Sequence, residues 1–355
     1  MERIVILRAL QLGDLLCAVP AFRALRAAYP SAEMSLVGLP WAKSFVERFH
    51  ALFDQFIEFP GWPGLPERAM ELNRIPAWLS EMQAAHFDLA LQMHGSGSMV
   101  NELLVLFGAK QNAGFYTIDT YCPDPARFMV YPEDEPEVWR HLRLMEFLGI
   151  PLQGDALEFP LTAQDYGELA ALAEAQELLP GTYACIHPGA RYLTRRWLPE
   201  FFAQVGDALA ARGLTVVLTG SQSEANLTMA VAGAMHAPAL DFAGRTTLGA
   251  LAVLLKNTRL LVSNDTGVSH VAAALGVPSV VIGLSSDIER WAPLDRARHR
   301  VLYHPIECSP CGFVICPIGH RCVTSVTPEE VISTADSLLY TEAGQIKLVG
   351  LESYV

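Results

Sequence analysis

One stretch limits what this chain can fold into more than any other: Leu260 to Ser286, LLVSNDTGVSHVAAALGVPSVVIGLSS. The apolar run at 260 to 263 predicts a buried strand, and Asn264-Asp265-Thr266-Gly267 breaks it. Residues 268 to 275 are Ala-rich and predict a helix that Gly276 stops; Val277 to Leu284 predicts a second buried strand. Strand, helix, strand is a βαβ unit, which commits the chain to a parallel sheet. Its polar residues gather in the single strand-to-helix turn. In open parallel sheets, ligands sit beyond the carboxyl ends of the strands. A helix that opens with Thr and Gly offers free backbone N–H groups and a positive dipole end, which suits a phosphate. His270 follows Thr266 by four residues and so shares the helix face that looks back at the turn.

The same alternation runs through the rest of the chain. Residues 3 to 7 (RIVIL) predict a buried strand, followed by a turn and a helix from about Asp14 to Tyr29 whose Leu15, Val19, Phe22 and Leu25 keep helical spacing. Strands are expected at 34–37, 53–59, 87–93 and 112–116, with helices at 41–49, 76–85, 99–107 and 138–148. Tyr121 to Glu137 is rich in Pro and acid and reads as a loop. A helix at 163–178 leads to Leu179-Pro180-Gly181, where the alternation restarts. Strands follow at 183–187, 214–219 and 239–242, helices at 199–211, 224–235 and 247–256, then the opening βαβ unit and a last helix at 328–340. The fold class is α/β: two Rossmann-like domains, each a doubly wound parallel sheet. Residues 1–165 form the first domain, 166–180 a linker and 181–327 the second.

Charge removes several partner classes. The net charge of −13 at pH 7 argues against nucleic acid, which needs a dense basic face. No apolar run reaches the length of a membrane span, and the N-terminus has no signal-peptide pattern, so the expected location is cytoplasmic. Seven cysteines in that compartment are expected to be reduced. His94-Gly95-Ser96-Gly97-Ser98 follows a strand, but Val100 stands where a dinucleotide fingerprint has its third glycine. No G-x-x-x-x-G-K-[ST], G-x-S-x-G or H-E-x-x-H occurs, which argues against the matching NTPase, hydrolase and metalloprotease classes.

Three blocks carry a family resemblance: RALQLGDLLCAVPAFRALRAAYP, HPGARYLTRRWLPE and DFAGRTTLGALAVLLKNTRLLVSNDTGVSHVAAALGVPSV. Together they resemble the heptosyltransferases, glycosyltransferase family 9. The resemblance implies the GT-B arrangement, two facing Rossmann-like domains with an acceptor-binding N-terminal and a nucleotide-sugar-binding C-terminal half. It also implies that the final helix and tail, 328–355, return to the first domain. The implied donor is ADP-heptose, the sugar inverts at its anomeric carbon, and no cofactor or metal is required. The implied acceptor is of the lipopolysaccharide-core type, lipid-linked or an oligosaccharide, at the inner membrane surface, with the protein cytoplasmic or peripheral there.

Inverting transfer needs a base beside the acceptor hydroxyl. Asp14, after Gly13 in the first strand-to-helix turn, matches the family's base; the plain alternative is an aspartate that caps a helix. On the donor side the resemblance carries over to His187, Gly189, Ala190, Arg195, Glu224, Asn264, Asp265, Thr266, Gly267 and His270. The chain contains no Asp-x-Asp, so helix N-termini and basic groups must meet the diphosphate. Arg195 stands where the family usually has lysine, keeping the charge and adding bidentate geometry. Asp265 would repel phosphate and is assigned to a sugar hydroxyl or to holding its turn. Glu224 matches an acidic residue that holds the ribose, or else complements its helix dipole. Gly95 and Ser96 are placed on the acceptor side with Gly13. Cys308, Cys311, Cys316 and Cys322, with His304 and His320 nearby, have the donor types of a structural Zn²⁺ site, although the spacing does not match a common zinc ribbon. Two other functions fit the same fold: a GT-B sugar-nucleotide epimerase, and a non-catalytic sugar-nucleotide-binding protein.

Overall fold

The structure is a computed structural model and describes residues 1–340. The chain divides into two compact units, Met1–Pro160 and Leu161–Val355. In the first, β1 (Arg3–Leu7), β2 (Glu33–Gly38), β3 (Gln55–Glu58), β4 (Leu89–Gln92), β5 (Gln111–Tyr116) and β6 (Phe128–Val130) form one sheet in the order β3-β2-β1-β4-β5-β6. In the second, β7 (Tyr183–His187), β8 (Thr215–Leu218), β9 (Ala239–Asp241), β10 (Leu260–Asn264), β11 (Ser279–Gly283) and β12 (His299–Tyr303) take the order β12-β11-β10-β7-β8-β9. Every strand pair is parallel. Each sheet therefore has the 3-2-1-4-5-6 doubly wound order, and each has one switch point where the winding reverses. The switch points lie between β1 and β4, and between β7 and β10.

The central strands are apolar on both faces because helices cover both. Val5, Leu7, Val37, Trp78 and Phe107 belong to one core of the first unit. Trp197, Phe202, Val216, Val262, Val280 and Leu338 belong to that of the second. The helix Gly267–Leu275 ends as expected, with Gly276 left-handed at φ 68°.

The structure departs from the expected elements at the sheet edges. β6 lies inside the segment read as a loop, and β12 was not expected at all. Both are outermost strands, short or partly polar, so they lack the apolar run that marks a central strand. The helix expected at 163–178 stops at Ala170, and a 3₁₀ turn, Ala173–Glu177, follows. The helix Ala163–Ala170 packs on Leu248–Asn257 of the second unit. The last helix, Pro328–Leu339, packs on the helix Pro199–Ala211 and on β10, β11 and β12. Its Val331, Ala335 and Leu338 fill the second core. Residues 341–355 of the helix and tail expected to return to the first unit lie outside the described residues. No described helix is long and apolar enough to cross a membrane.

Candidate functional site

The second switch point gathers most of the residues that the sequence singles out. β7 and β10 are neighbours, with Ser263 opposite His187, so the turns after them leave the sheet side by side. Asn264 joins those turns. Its Nδ2 donates to the Pro188 carbonyl at 2.7 Å, and its Oδ1 accepts the Trp197 N–H at 3.1 Å. The amide is fully buried and both its ends are used, so Asn264 holds two loops in place. Asp265 is buried too, and its N–H donates to the Ile282 carbonyl.

Thr266 is the N-cap of the helix Gly267–Leu275, in extended backbone, and its side chain makes no capping bond. The first N–H groups of a helix lack the usual partner a turn back; here the Ser269 N–H donates to the Thr266 carbonyl at 3.0 Å, and no side-chain cap occupies the others. In or after the strands that end at this edge, β7, β10 and β11, several buried polar atoms have no hydrogen-bond partner among the described residues: Arg195 Nε and the hydroxyls of Ser263, Ser285 and Ser286. Orphaned buried donors are uncommon and call for a ligand or an ordered water. Ser285 and Ser286 were not singled out in the sequence. Their signal was positional, since they follow β11 at the same edge of the sheet. His270 is buried with its ring edge-on to Trp291, centroids 6.4 Å apart.

His187 ends β7, and its Nδ1 lies 3.0 Å from Thr219 Oγ1. Burial pushes the imidazole below its ordinary range, although the Glu224 carboxylate pulls it back up. Glu224 is held below the usual carboxylate range: burial acts the other way, but the Ser221 N–H and hydroxyl, both 2.8 Å away, and the charges of His187 and Arg196 prevail. Glu224 thus completes a capping box with Ser221 and also lies against the turn after β7. A Cβ added to Gly189 would stand 2.2 Å from its Oε1, so any larger residue there would have to displace the carboxylate from its present place. Of the basic pair, Arg196 fixes the turn by donating from Nε to the Ala190 carbonyl at 2.8 Å, while Arg195 stacks on Tyr192 at 5.4 Å.

In the first unit, Gly13 and Asp14 lie in the first turn of the helix Leu12–Ala28, which starts just before the expected position. Asp14 is half-buried, and its Oδ2 accepts the Gln11 N–H at 3.1 Å. Beneath it, Arg8 is fully buried. The guanidinium donates twice to the Asp14 carbonyl, at 3.0 and 2.7 Å, and also to the Met93 carbonyl. It reaches Glu137 Oε1 at 3.0 Å, and Arg140 donates to Oε2 of the same carboxylate at 2.6 Å. Arg8 therefore ties the turn after β1 to the end of β4 across the switch point. His94 adds a second tie, with Nδ1 accepting the Ala9 N–H at 3.1 Å. Gly95 faces open space, and Ser96 and Ser98 bond each other at 3.1 Å. Gly97 serves the scaffold instead, because a Cβ there would meet the Phe115 carbonyl at 2.1 Å.

His141 touches the same network, with Nε2 3.1 Å from Glu137 Oε1. Burial first, then the charge of Arg8, pushes it down to about 4. His299, bonded to Ser279 in the second unit, is also pushed down to about 4, mainly by burial. For both, the folded value lies below the unfolded value of about 6.5. Between these limits the unfolded chain binds more protons, so stability falls as the pH falls from 6.5 towards 4. Each histidine should cost about 2 kcal/mol on going from pH 7 to 5. Urea midpoints at the two pH values check this, and equal midpoints would refute it.

The zinc expectation needs correction. Among the described residues, no three His, Cys, Asp or Glu side chains are grouped to hold a metal ion. All four cysteines are free thiols; Cys322 is buried in the second core, and Cys308, Cys311 and Cys316 are half-buried in the preceding loop.

Comparison with known proteins places these features. The family model for glycosyltransferase family 9 (heptosyltransferase) matches residues 76–320. Lipooligosaccharide heptosyltransferase 2 of Campylobacter jejuni is 24% identical over 335 residues, which cover 92% of this chain and 95% of that protein. Among solved structures, the glycosyl transferase family 9 protein of Veillonella parvula superposes with a TM-score of 0.80 at 20% identity, covering 95% of this chain and 97% of its own. E. coli ADP-heptose lps heptosyltransferase II gives 0.73 at 22% identity, covering 96% and 98%. Both share the two-sheet fold described above.

Proposed function

Since the chain belongs to glycosyltransferase family 9, the heptosyltransferases, and is a glycosyltransferase, we propose that it moves heptose from ADP-heptose to a lipopolysaccharide-core acceptor with inversion at the anomeric carbon. The observation that carries the donor side is the helix start at Thr266 and Gly267, which has no side-chain cap, at the sheet edge where β7 also ends and leads to Arg195, whose Nε has no partner among the described residues. Both suit the charge that builds on a departing diphosphate. Glu224, kept ionised and close to Gly189, suits the ribose hydroxyls. His187, Gly189 and Ala190 line the same edge, Asp265 meets a sugar hydroxyl, and His270 backs the diphosphate turn.

The acceptor oxygen attacks the anomeric carbon, its proton passes to Asp14, and the bond from that carbon to the diphosphate oxygen breaks. The leaving electrons settle on the diphosphate, where backbone N–H groups and Arg195 meet them, so the proposal needs no metal. Gly13, Gly95 and Ser96 stand on the acceptor side.

A melting-temperature panel of nucleotide sugars tests the donor. At a hundredfold excess over its dissociation constant, ADP-heptose should stabilise the protein by about 2.7 kcal/mol, and Arg195→Ala should lose most of that gain. A shift with uridine sugars and none with adenine sugars would reject the assignment.

A further inference from the structure

The loop between β12 and the last helix carries an apolar cluster that neither core absorbs. Phe313, Val314, Ile315 and Ile318 are all more than half exposed, Ile315 at 69%. The loop is anchored to the turn that holds Arg195. The Leu193 N–H donates to the Val314 carbonyl at 3.1 Å, Thr194 Oγ1 to the Phe313 carbonyl at 2.5 Å, and His320 Nε2 to the Thr194 carbonyl at 3.0 Å. Leu193, itself 47% exposed, extends the cluster.

The charge around it is unlike that of the rest of the chain. The protein carries −13, yet no Asp or Glu occurs from 178 to 199 or from 308 to 328; the one acid of the loop, Glu307 at its start, lies 3.6 Å from Arg321. Arg191 and Arg321 flank the apolar side chains, and both are exposed. An apolar tip with Arg191 and Arg321 in its two segments, their charge offset only in part by Glu307, has the chemistry that enters the headgroup region of an anionic bilayer, where apolar burial and headgroup charge add.

We infer that the loop 311–321, with Leu193 and Arg191, docks the enzyme on an anionic phospholipid surface. The inference builds on the transferase reading above, since a lipid-linked acceptor lies at such a surface. The hydrogen bonds to residues 193 and 194 would pass the docked position of the loop on to the Arg195 turn.

Vesicle co-sedimentation of the full chain tests it. Vesicles of phosphatidylethanolamine with phosphatidylglycerol should bind the protein, and phosphatidylcholine vesicles should bind it much less. Phe313→Ser with Ile315→Ser should weaken binding about tenfold or more. Arg191→Glu with Arg321→Glu should do the same and flatten the salt dependence. Ile118→Ser, an exposed apolar residue elsewhere, should change nothing. These side chains are exposed, so melting temperatures should hold; if the serine variant melts early, the glutamate variant decides. Transfer to a delipidated acceptor separates this inference from the one it builds on: it should survive both loop variants, while transfer to acceptor in vesicles falls. Equal binding by parent and variants, or binding to neither lipid, overturns the inference. So does self-association that the serine pair abolishes without any vesicle binding, since a second copy would then cover the loop.

Discussion

Asp14→Asn should lower turnover about a hundred- to ten-thousand-fold while donor affinity stays within about twofold. The asparagine keeps the size of the side chain and an oxygen that can accept the Gln11 N–H, so the helix start should survive. What is lost is the ability to take a proton. The capping bond and the proposed base role do not compete, because a carboxylate has lone pairs for both. Single-turnover rates beside the donor-induced melting shift would separate them. Unchanged turnover would leave Asp14 as a helix cap only, and the base would have to be sought elsewhere.

Arg8→Met should cost about 3–5 kcal/mol, the usual effect of removing one partner from a buried ion pair. The change leaves the Asp14 and Met93 carbonyls without their donor and Glu137 with less of its counter-charge. Arg8→Lys should recover only part of the loss, because an ammonium cannot reach three acceptors in one plane as the guanidinium fork does. Urea unfolding checks both. A methionine variant within about 1 kcal/mol of the parent would mean that the turn after β1 holds itself.

The central strands could be read in the chain because they are apolar on both faces and bounded by Gly, Pro or polar turns. The helix ending at Gly276 could be read for a similarly local reason, the need for a left-handed residue at its end. The edge strands β6 and β12 could not, since one free side relieves a strand of the requirement for a continuous apolar run. The apolar stripe of the final helix says that it packs, but not that it packs on the helix Pro199–Ala211 and the strands beside it. Asn264 showed the same limit within the site: the resemblance marked it for donor contact, but no local pattern showed that its amide also bonds the backbone of residues 188 and 197.

By itself, the sequence determined the βαβ alternation, the doubly wound class, the family and the turns where polar chemistry collects. These follow from local periodicity and from motifs a few residues long. Only the tertiary structure decided that β7 lies beside β10 and β1 beside β4, which turns separated stretches into two switch-point edges. Only it showed Arg8 clamped beneath Asp14, and the hydroxyls of Ser285 and Ser286 buried without a hydrogen-bond partner among the described residues. Apart from the six-residue step from Arg8 to Asp14, those relations join residues tens of positions or more apart, as Arg8 does with Met93 and Glu137, and no local pattern encodes which distant group a buried polar side chain will meet.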